Sequence, residues 1–393
     1  MHFFLIAGEP SGDRLGGALM AGLRRLHPEV RFSGIGGPGM QAQGLVSLFP
    51  MEELSLMGLA EVLPKYLQLK RRIAQAAQEA LRLSPDALIT IDSPDFNLRV
   101  ARRVREGDPG RSIRTVHYVA PSVWAWRPGR AAKMARWIDH VLALLPFEPP
   151  LMEAAGMRCD FVGHPVVSEP VPTPGEVSAF RASEGLGEAP VIVALPGSRR
   201  GEVERLAPVF GESLRLVLAR HPRARVVVPA ATPVAERVAA LVAGWPGSPL
   251  VLDPRTMPIQ AAEARKRAAF AAAGVALAAS GTVSLELAAV STPMVIAYDM
   301  NWLSRALISR MLRVDTVTLV NLVSETRSVP EFLGAACTPG NIAAGVLEVM
   351  EDPRAQRAAM DLTMQHLGRG GEAPGLRAAR AVLAGLDEAG AMG

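Results

Sequence analysis

Short apolar segments alternate with amphipathic helical segments along the first half of this chain. The predicted strands are residues 2–7, 30–35, 87–91, 115–119 and 141–145. Helical spacing of apolar residues marks the segments between them at 14–26, 66–83 and 98–106. Such an alternation is typical of parallel strands covered by helices, so we predict an α/β domain.

A proline-rich segment at residues 163–174 interrupts this pattern. Prolines at this density prevent both a helix and a central strand, which indicates a linker. The alternation then restarts, with predicted strands at 191–195, 225–228, 250–252, 275–279 and 294–297. We therefore predict two domains with a ligand cleft between the carboxyl edges of their sheets, followed by a C-terminal helical segment that packs back on the first domain. The predicted bounds are 1–165, 175–365 and 366–393.

The composition narrows the classes of partner. The net charge of +4 and the pI near 9.4 suit an anionic small molecule, an anionic lipid surface or nucleic acid. With only Cys159 and Cys337, a disulfide framework and a cysteine-based zinc site are excluded, and a reducing cytoplasm is expected. No apolar run is long enough to span a membrane, so we expect any membrane association to be peripheral.

The segment 279–286 (ASGTVSLE) combines an anion site with a side chain suited to sugar hydroxyls. It follows an apolar run typical of a buried strand and precedes the start of a helix. Ser280 or Thr282 can cap that helix, which leaves backbone N–H groups and a positive dipole end for a diphosphate. Glu286 lies one turn beyond Thr282, where its carboxylate can accept hydrogen bonds from both hydroxyls of a ribose. The segment predicts a nucleotide-sugar donor site; the alternative is a capped helix with a surface glutamate.

A glycine-rich segment, GIGGPG at 34–39, matches the dinucleotide-binding pattern G-x-G-x-x-G. It follows the second strand rather than the first, Pro38 restricts the loop, and Gly44 interrupts the expected helix. We therefore interpret it as a turn over the cleft and not as a nicotinamide site.

The first strand leads instead into GEPSGD at 8–13. Small residues there allow the backbone to approach a ligand, and Ser11 or Asp13 can cap the helix that follows. The residues of this predicted cleft loop are Glu9, Ser11, Gly12 and Asp13.

Six short segments occur in an order that closely resembles the lipid-A-disaccharide synthase family. They are GEPSGD at 8–13, IDSPDFN at 91–97, HYVAPSVWAWR at 117–127, LLPFE at 144–148, LPGSR at 195–199 and SGT at 280–282. No single segment is decisive, but six in register are specific, and the match runs from about residue 4 to residue 321. The resemblance implies an α/β fold of the GT-B type, with two Rossmann-like domains facing across a cleft.

The resemblance also implies a reaction. Enzymes of this family are inverting glycosyltransferases of lipid A biosynthesis that use no metal ion and no cofactor. They join UDP-2,3-diacylglucosamine to 2,3-diacylglucosamine 1-phosphate through a β-1,6 bond and release UDP. The first domain is expected on the acceptor and lipid side with the catalytic base, and the second domain on the side of the UDP-sugar donor.

Asp92 directly follows the apolar run 87–91, so its carboxylate is predicted at the carboxyl edge of the first sheet. Attack of a sugar hydroxyl on an anomeric carbon needs a base that takes the proton as the bond forms, and one carboxylate suffices for inversion. The resemblance places the family's proposed base at Asp92. Two alternatives stay open: Asp92 caps the turn made by Ser93 and Pro94, or Asp95 is the base.

The segment after the first strand of the second domain supplies the predicted anion contacts. Negative charge grows on the leaving diphosphate, and a guanidinium with backbone N–H groups can stabilise it. Arg199 matches the family's functionally required arginine, and its neighbour Arg200 is expected to be solvated; a basic surface turn is the alternative. The predicted donor contacts are Gly197, Ser198, Ser280, Gly281, Thr282, Glu286 and Asn321.

Two further segments combine aromatic or apolar residues with cations. The first suits either the acceptor phosphate or a solvated helix face, and its members are Trp124, Trp126, Arg127, Arg130, Lys133 and Arg136. The second, 54–66, is apolar, and suits either contact with an anionic inner-membrane surface or a buried core helix. The cations that follow its apolar part are Lys65, Lys70, Arg71 and Arg72.

We therefore expect a cytoplasmic enzyme that associates peripherally with the inner membrane. One alternative is another GT-B enzyme of UDP-sugars, such as a UDP-GlcNAc 2-epimerase, which needs no lipid acceptor. The other is a non-catalytic protein that binds nucleotide sugars or anionic lipid, for which Asp92 is expendable. A nucleic-acid partner is not expected, because the basic residues are dispersed and aromatic residues make up only 5% of the chain.

Overall fold

The structure, a computed structural model, describes residues 1–54, 59–124, 129–299 and 314–391, without the side chains of 59–66 and 389–391. The chain divides into two compact units. The first comprises Met1–Ser168 together with Leu367–Gly393, and the second comprises Glu169–His366. Among the described residues, no helix is long and apolar enough to cross a membrane.

The first unit alternates parallel strands with helices. Its strands are β1 (His2–Ala7), β2 (Arg31–Ile35), β3 (Ala87–Ile91), β4 (Arg114–Tyr118), β5 (His140–Ala143) and β6 (Arg158–Phe161). The helices that precede the linker are α1 (Pro10–Leu26), α2 (Pro38–Gln41), α3 (Leu59–Leu83), α4 (Pro94–Gly107), α5 (Gly129–Met134) and α6 (Pro149–Glu153). The described strands form one sheet in the order β2-β1-β3-β4-β5-β6. The chain reverses its direction of winding between β1 and β3, which is the position where open α/β sheets bind ligands.

The second unit repeats this plan. Its strands are β7 (Val191–Leu195), β8 (Arg225–Pro229), β9 (Leu250–Leu252), β10 (Val275–Ala279), β11 (Met294–Tyr298) and β12 (Glu331–Leu333). Its helices are α7 (Pro174–Ser183), α8 (Arg200–Arg220), α9 (Ala235–Val242), α10 (Ile259–Ala272), α11 (Val283–Ala289), α12 (Leu319–Ser324), α13 (Pro339–Glu351) and α14 (Arg354–His366). The described sheet has the order β12-β11-β10-β7-β8-β9, so the winding reverses between β7 and β10.

Helices on both faces bury the central strands. Every residue of β3, β7 and β10 is buried, as expected for parallel strands covered on two sides. The last helix, α15 (Pro374–Ala391), packs on α1 of the first unit. A Cβ atom at Gly22 would lie 2.6 Å from the carbonyl oxygen of Gly375, so glycine permits this close approach.

The predicted alternation and the parallel α/β class are confirmed, with local differences. Helices α1 and α4 begin four residues earlier than the predicted 14 and 98, because proline is well tolerated in a first helical turn. Strands β6 and β12 were not predicted, since both are short and only partly buried. The run 316–320 is rich in β-branched residues, which favour a strand, but it enters helix α12 at Leu319.

Candidate active site

A pocket of about 520 Å³ lies in the second unit at the carboxyl ends of its central strands. The loops after β7 and β10, which flank the reversal of winding, supply part of its lining. The loops after β8 and β9 and the helix α10 also line it. A pocket at this position in an open parallel sheet is the usual site for a nucleotide.

The loop after β7 brings Gly197, Ser198 and Arg199 to the pocket. Gly197 has φ +124°, a conformation that side chains rarely adopt, and a Cβ atom there would lie 2.7 Å from Cβ of Glu202. The Arg199 side chain is 81% exposed and its Nη1 atom lies 3.1 Å from Oε1 of Glu202. Arg200 pairs with Glu204 at 2.9 Å and does not line the pocket, so Arg199 is the guanidinium available to a ligand.

Glu202 makes a second contact that sequence reasoning missed. Its Oε2 atom accepts hydrogen bonds from the backbone N–H groups of Ser198 and Arg199, both at 3.3 Å. A glutamate three residues into a helix that reaches back to the cap is a common capping arrangement. In this loop, the Glu202 carboxylate accepts from the N–H groups of two residues that line the pocket.

The loop after β10 brings Ser280, Gly281, Thr282 and Glu286 to the same pocket. Neither hydroxyl caps the helix as predicted: Thr282 occupies the cap position without a side-chain hydrogen bond, and it already has helical backbone angles. Gly281 has φ +155°, which glycine adopts freely. Both predicted segments of the donor site therefore meet in one pocket.

Glu286 contacts a lysine that the sequence motifs do not single out. The Nζ atom of Lys266, on α10, lies 2.9 Å from Oε2 of Glu286 and 2.8 Å from Oε2 of Glu263. Burial opposes the positive charge of Lys266, but the two carboxylates outweigh it, and the pKa of Lys266 is raised. Lys266 is therefore fully protonated at neutral pH.

Asn321 does not line this pocket. It is buried in α12, where its Nδ2 atom donates to the carbonyl oxygen of Val329 at 2.9 Å and to Oγ1 of Thr316 at 3.2 Å. Its Oδ1 atom accepts from the N–H of Val329 at 3.0 Å. The amide is thus used within the second unit, and the geometry gives no support to the predicted donor contact.

Asp92 lies at the carboxyl edge of the first sheet, beside the reversal of winding between β1 and β3. Asp92 and Ser93 have φ of +51° and +41°, left-handed values that are costly for residues other than glycine. The Asn97 amide holds this turn by donating to the carbonyl oxygens of Ile91 at 3.0 Å and Asp92 at 2.7 Å. A Cβ atom at Gly8 would lie 2.7 Å from Oγ of Ser93, so glycine lets the end of β1 approach the turn.

Strain continues at the next strand of the same edge. Val119, directly after β4, has φ +85°, an outlier for a β-branched residue. In the segment that follows, the Nε1 atom of Trp124 lies 3.4 Å from Oε1 of Glu148. Glu148 is buried, and burial raises its pKa to about 7. Such clustering of strained backbone and a perturbed carboxyl group is typical of functional edges.

The predicted cleft loop is part of helix α1. Glu9 is the cap residue, Ser11 is exposed, and Gly12 is buried against the carbonyl oxygen of Ile91. Asp13 is buried, and its carboxylate accepts backbone N–H bonds from the glycine-rich segment 34–39 and the residue after it: Gly37 at 2.8 Å, Gly39 at 2.7 Å and Met40 at 3.0 Å. Because a carboxylate occupies these N–H groups, they are not available to a pyrophosphate.

The two basic segments are described only in part. Trp126, Arg127 and the segment 55–66 lie outside the described residues and side chains. Lys70 and Arg71 are exposed on α3. Arg72 instead binds Glu53 through Nε and Nη2 at 2.8 and 2.7 Å, and its guanidinium lies over the ring of Phe49 at 4.4 Å.

Two solved structures show the class to which the fold belongs. UDP-GlcNAc 2-epimerase from Neisseria meningitidis bound to UDP-GlcNAc is similar with a TM-score of 0.65 at 11% identity, over 99% of this chain and 100% of that one. The calicheamicin glycosyltransferase CalG4 has a TM-score of 0.58 at 16% identity, over 99% and 98% of the two chains. At these identities the likeness establishes the fold alone, an α/β fold of the GT-B type.

Sequence comparison is more specific. A family model described as lipid-A-disaccharide synthetase matches residues 3–379. The lipid-A-disaccharide synthase of Ruegeria pomeroyi is 68% identical over 383 residues, which cover 98% of this chain and 95% of that protein. The enzyme of the same name from Rhodospirillum centenum is 49% identical over 385 residues, covering 97% and 93%. The chain belongs to the lipid-A-disaccharide synthetase family, and it is a glycosyltransferase.

Proposed function

We propose that this enzyme transfers a diacylglucosamine unit from UDP-2,3-diacylglucosamine to the 6-hydroxyl of 2,3-diacylglucosamine 1-phosphate, with inversion and release of UDP. The observation that carries the proposal is the joining of the loops after β7 and β10 in one pocket at the reversal of winding, in a chain of this family. In this proposal residues 175–365 bind the donor, and residues 1–165 bind the acceptor and supply the base.

The donor pocket supplies the electrostatic part of the reaction. As the glycosidic bond to UDP breaks, negative charge accumulates on the diphosphate, and fixed positive groups lower the barrier. Arg199 and the N–H groups of Ser198 and Arg199 fill this role, with the Glu202 carboxylate moving away as the phosphate arrives. Glu286 accepts hydrogen bonds from the ribose hydroxyls, and Ser280 and Thr282 contact the diphosphate.

Asp92 acts as the base that takes the proton of the attacking hydroxyl. Its support is the strained turn: a conformation that costs about 1–3 kcal/mol per residue persists where the surrounding bonds enforce it, and such turns concentrate at active sites. Asp95 is the competing carboxylate, but it lies exposed in the first turn of α4 with no comparable restraint on its backbone.

Release of UDP tests the reaction and its base together. The assay measures UDP from the acylated donor with and without the acylated acceptor phosphate, in EDTA, for the wild type, Asp92→Asn and the matched control Asp95→Asn. We expect acceptor-dependent release that survives EDTA, a kcat lower by about 10²–10⁴-fold in Asp92→Asn, and near-normal kcat in the control.

The other outcomes separate the alternatives. Full activity in Asp92→Asn with loss in Asp95→Asn moves the base to Asp95. Binding of the donor without any release of UDP favours a binding protein. Epimerisation of UDP-GlcNAc in the absence of lipid favours the epimerase, whose fold is shared.

We also propose that the first unit contacts an anionic membrane surface, because both substrates carry acyl chains. Helices α3 and α4 flank a groove lined by cations and one glutamate: Lys70, Arg99, Arg102, Arg103 and Glu106. Arg99 and Arg103 have no ion-pair partner among the described residues. Leu67, which is 67% exposed, lies one turn before Lys70 on α3. Cations beside an exposed apolar side chain suit anionic headgroups.

Vesicle sedimentation with and without anionic phospholipid tests this contact. The triple variant Lys70→Glu, Arg99→Glu, Arg103→Glu is expected to lose most binding to anionic vesicles. The control triple in the second unit, Arg215→Glu, Arg237→Glu, Arg354→Glu, makes the same charge change and is expected to bind far better. Equal loss in both triples would show that net charge alone matters.

A further inference from the structure

We infer that Lys266 is the positioning residue that aims the Glu286 carboxylate at the ribose of the donor. The inference rests on the proposed donor site, in which Glu286 accepts hydrogen bonds from the ribose hydroxyls. Lys266 lies on α10 and Glu286 on α11, so the contact between them connects two helices that both line the pocket.

The geometry restrains Glu286 on one oxygen. The 2.9 Å contact from Nζ of Lys266 is made to Oε2 of Glu286, and both residues line the pocket. The Lys266 side chain is 27% exposed, and the Glu263 carboxylate, at 2.8 Å, fixes its ammonium from the other side. A glutamate side chain has several rotatable bonds, and holding one oxygen limits the directions that the other can take.

Lys266 also balances charge in a pocket that must accept a diphosphate. Without its ammonium, Glu263 and Glu286 would present two carboxylates to an anionic ligand. Like charges repel strongly where water is partly excluded, so the carboxylates would turn toward solvent and weaken nucleotide binding. With Lys266 present, the Glu286 carboxylate can accept hydrogen bonds from the ribose while the negatively charged diphosphate binds in the same pocket.

The preference for UDP over 2′-deoxy-UDP tests this role, because a merely structural role of Lys266 would leave that preference unchanged. Calorimetry gives the Kd of UDP and of 2′-deoxy-UDP for the full chain. In the wild type we expect UDP to bind about 10–100-fold more tightly, since the deoxy analogue lacks a hydroxyl that donates to the Glu286 carboxylate. Glu286→Gln and Lys266→Gln are both expected to reduce that ratio to within about three-fold of unity, and Lys266→Arg to retain most of it.

Controls distinguish the inference from a folding defect and from failure of the donor site. Arg267→Gln removes one charge from the same helix without touching the pocket, and it is expected to keep the wild-type ratio. Thermal unfolding confirms that each variant is folded. A wild-type ratio in Lys266→Gln beside a collapsed ratio in Glu286→Gln would overturn the role of Lys266 alone. A wild-type ratio in Glu286→Gln would overturn the ribose contact, and the positioning role with it.

Discussion

The left-handed turn at Asp92 and Ser93 depends on the side chain of Asn97, and the variant Asn97→Ala removes that support. The Asn97 amide binds the carbonyl oxygens of Ile91 and Asp92 at 3.0 and 2.7 Å. Ile91 ends β3 and Asp92 directly follows it, so loss of these two hydrogen bonds frees the backbone that carries the proposed base.

The expected loss of stability follows from these two bonds. Each contributes about 0.5–1.5 kcal/mol net to the free energy of unfolding, so both together contribute about 1–3 kcal/mol. The Oδ1 atom of Asn97 is buried with no hydrogen-bond partner among the described residues, and truncation removes that cost as well. We therefore expect the lower half of the range, about 1–2 kcal/mol.

The expected loss of activity is larger in proportion. The strain of two left-handed residues, about 2–6 kcal/mol, favours relaxation of the turn once the amide is gone. A displacement of the Asp92 carboxylate by about 1 Å lowers the rate of proton transfer by up to about 100-fold. We expect kcat to fall by about 10–100-fold, with the Kd of UDP unchanged because the donor pocket lies in the second unit.

Acceptor-dependent UDP release, urea unfolding and calorimetry of UDP binding measure the three quantities. Val100→Ala is the matched control: the residue is fully buried on the same helix, and its truncation costs roughly 1–3 kcal/mol of stability through a cavity. It should keep kcat within a few-fold. An Asn97→Ala variant that loses stability but keeps the wild-type kcat would refute the role of Asn97 in positioning Asp92. An equal loss of kcat in Val100→Ala would show that the loss follows from destabilisation in general.

Three other predictions concern stability. Gly34→Ala is expected to prevent folding of the first unit, since φ is +138° and a Cβ atom would lie 1.8 Å from the carbonyl oxygen of Leu5; expression and circular dichroism check this. Asp13→Ala leaves three backbone N–H groups unpaired and should lower the free energy of unfolding by about 2–4 kcal/mol in urea. Burial raises the pKa of Glu148 to about 7 from 4.5, so folding favours its protonated form. The contribution of Glu148 to the free energy of unfolding is therefore fully present below pH 4.5, and about 3 kcal/mol of it is lost as the pH rises through 7. Urea titrations of Glu148→Gln at several pH values should show a weaker dependence of stability on pH.

The alternation of strands and helices could be predicted from the sequence because buried parallel strands are almost continuously apolar. β3, β7 and β10 are buried at every position, and each appears in the sequence as a short apolar run. β6 and β12 escaped prediction because edge strands are short and half exposed, which leaves little apolar signal. The helix starts were placed late because proline in a first turn was read as a loop residue.

The pocket was predictable to the extent that it depends on chain order. Loops after neighbouring parallel strands meet at one edge, so Arg199 and Glu286 could be brought together from the sequence. Lys266 could not, because nothing in the alanine-rich segment of α10 indicates which of its cations turns inward. The helix that carries Asn321 was not predictable, since a β-branched run such as 316–320 favours a strand until tertiary contacts decide otherwise.

The packing of α15 on α1 has a consequence for the order in which the protein is made. The apolar side of α1 includes Leu19 and Leu23, and the residues of α15 that cover it include Ala378 and Val382. At about 5–20 residues per second, a ribosome needs on the order of 10–45 s to synthesise the residues from Glu169 to the end of α15. During that time the second unit, which is continuous in sequence, can complete its core while the first waits for its last helix. A nascent chain released early would therefore carry a completed second unit and a first unit whose exposed apolar surface on α1 makes it prone to aggregation.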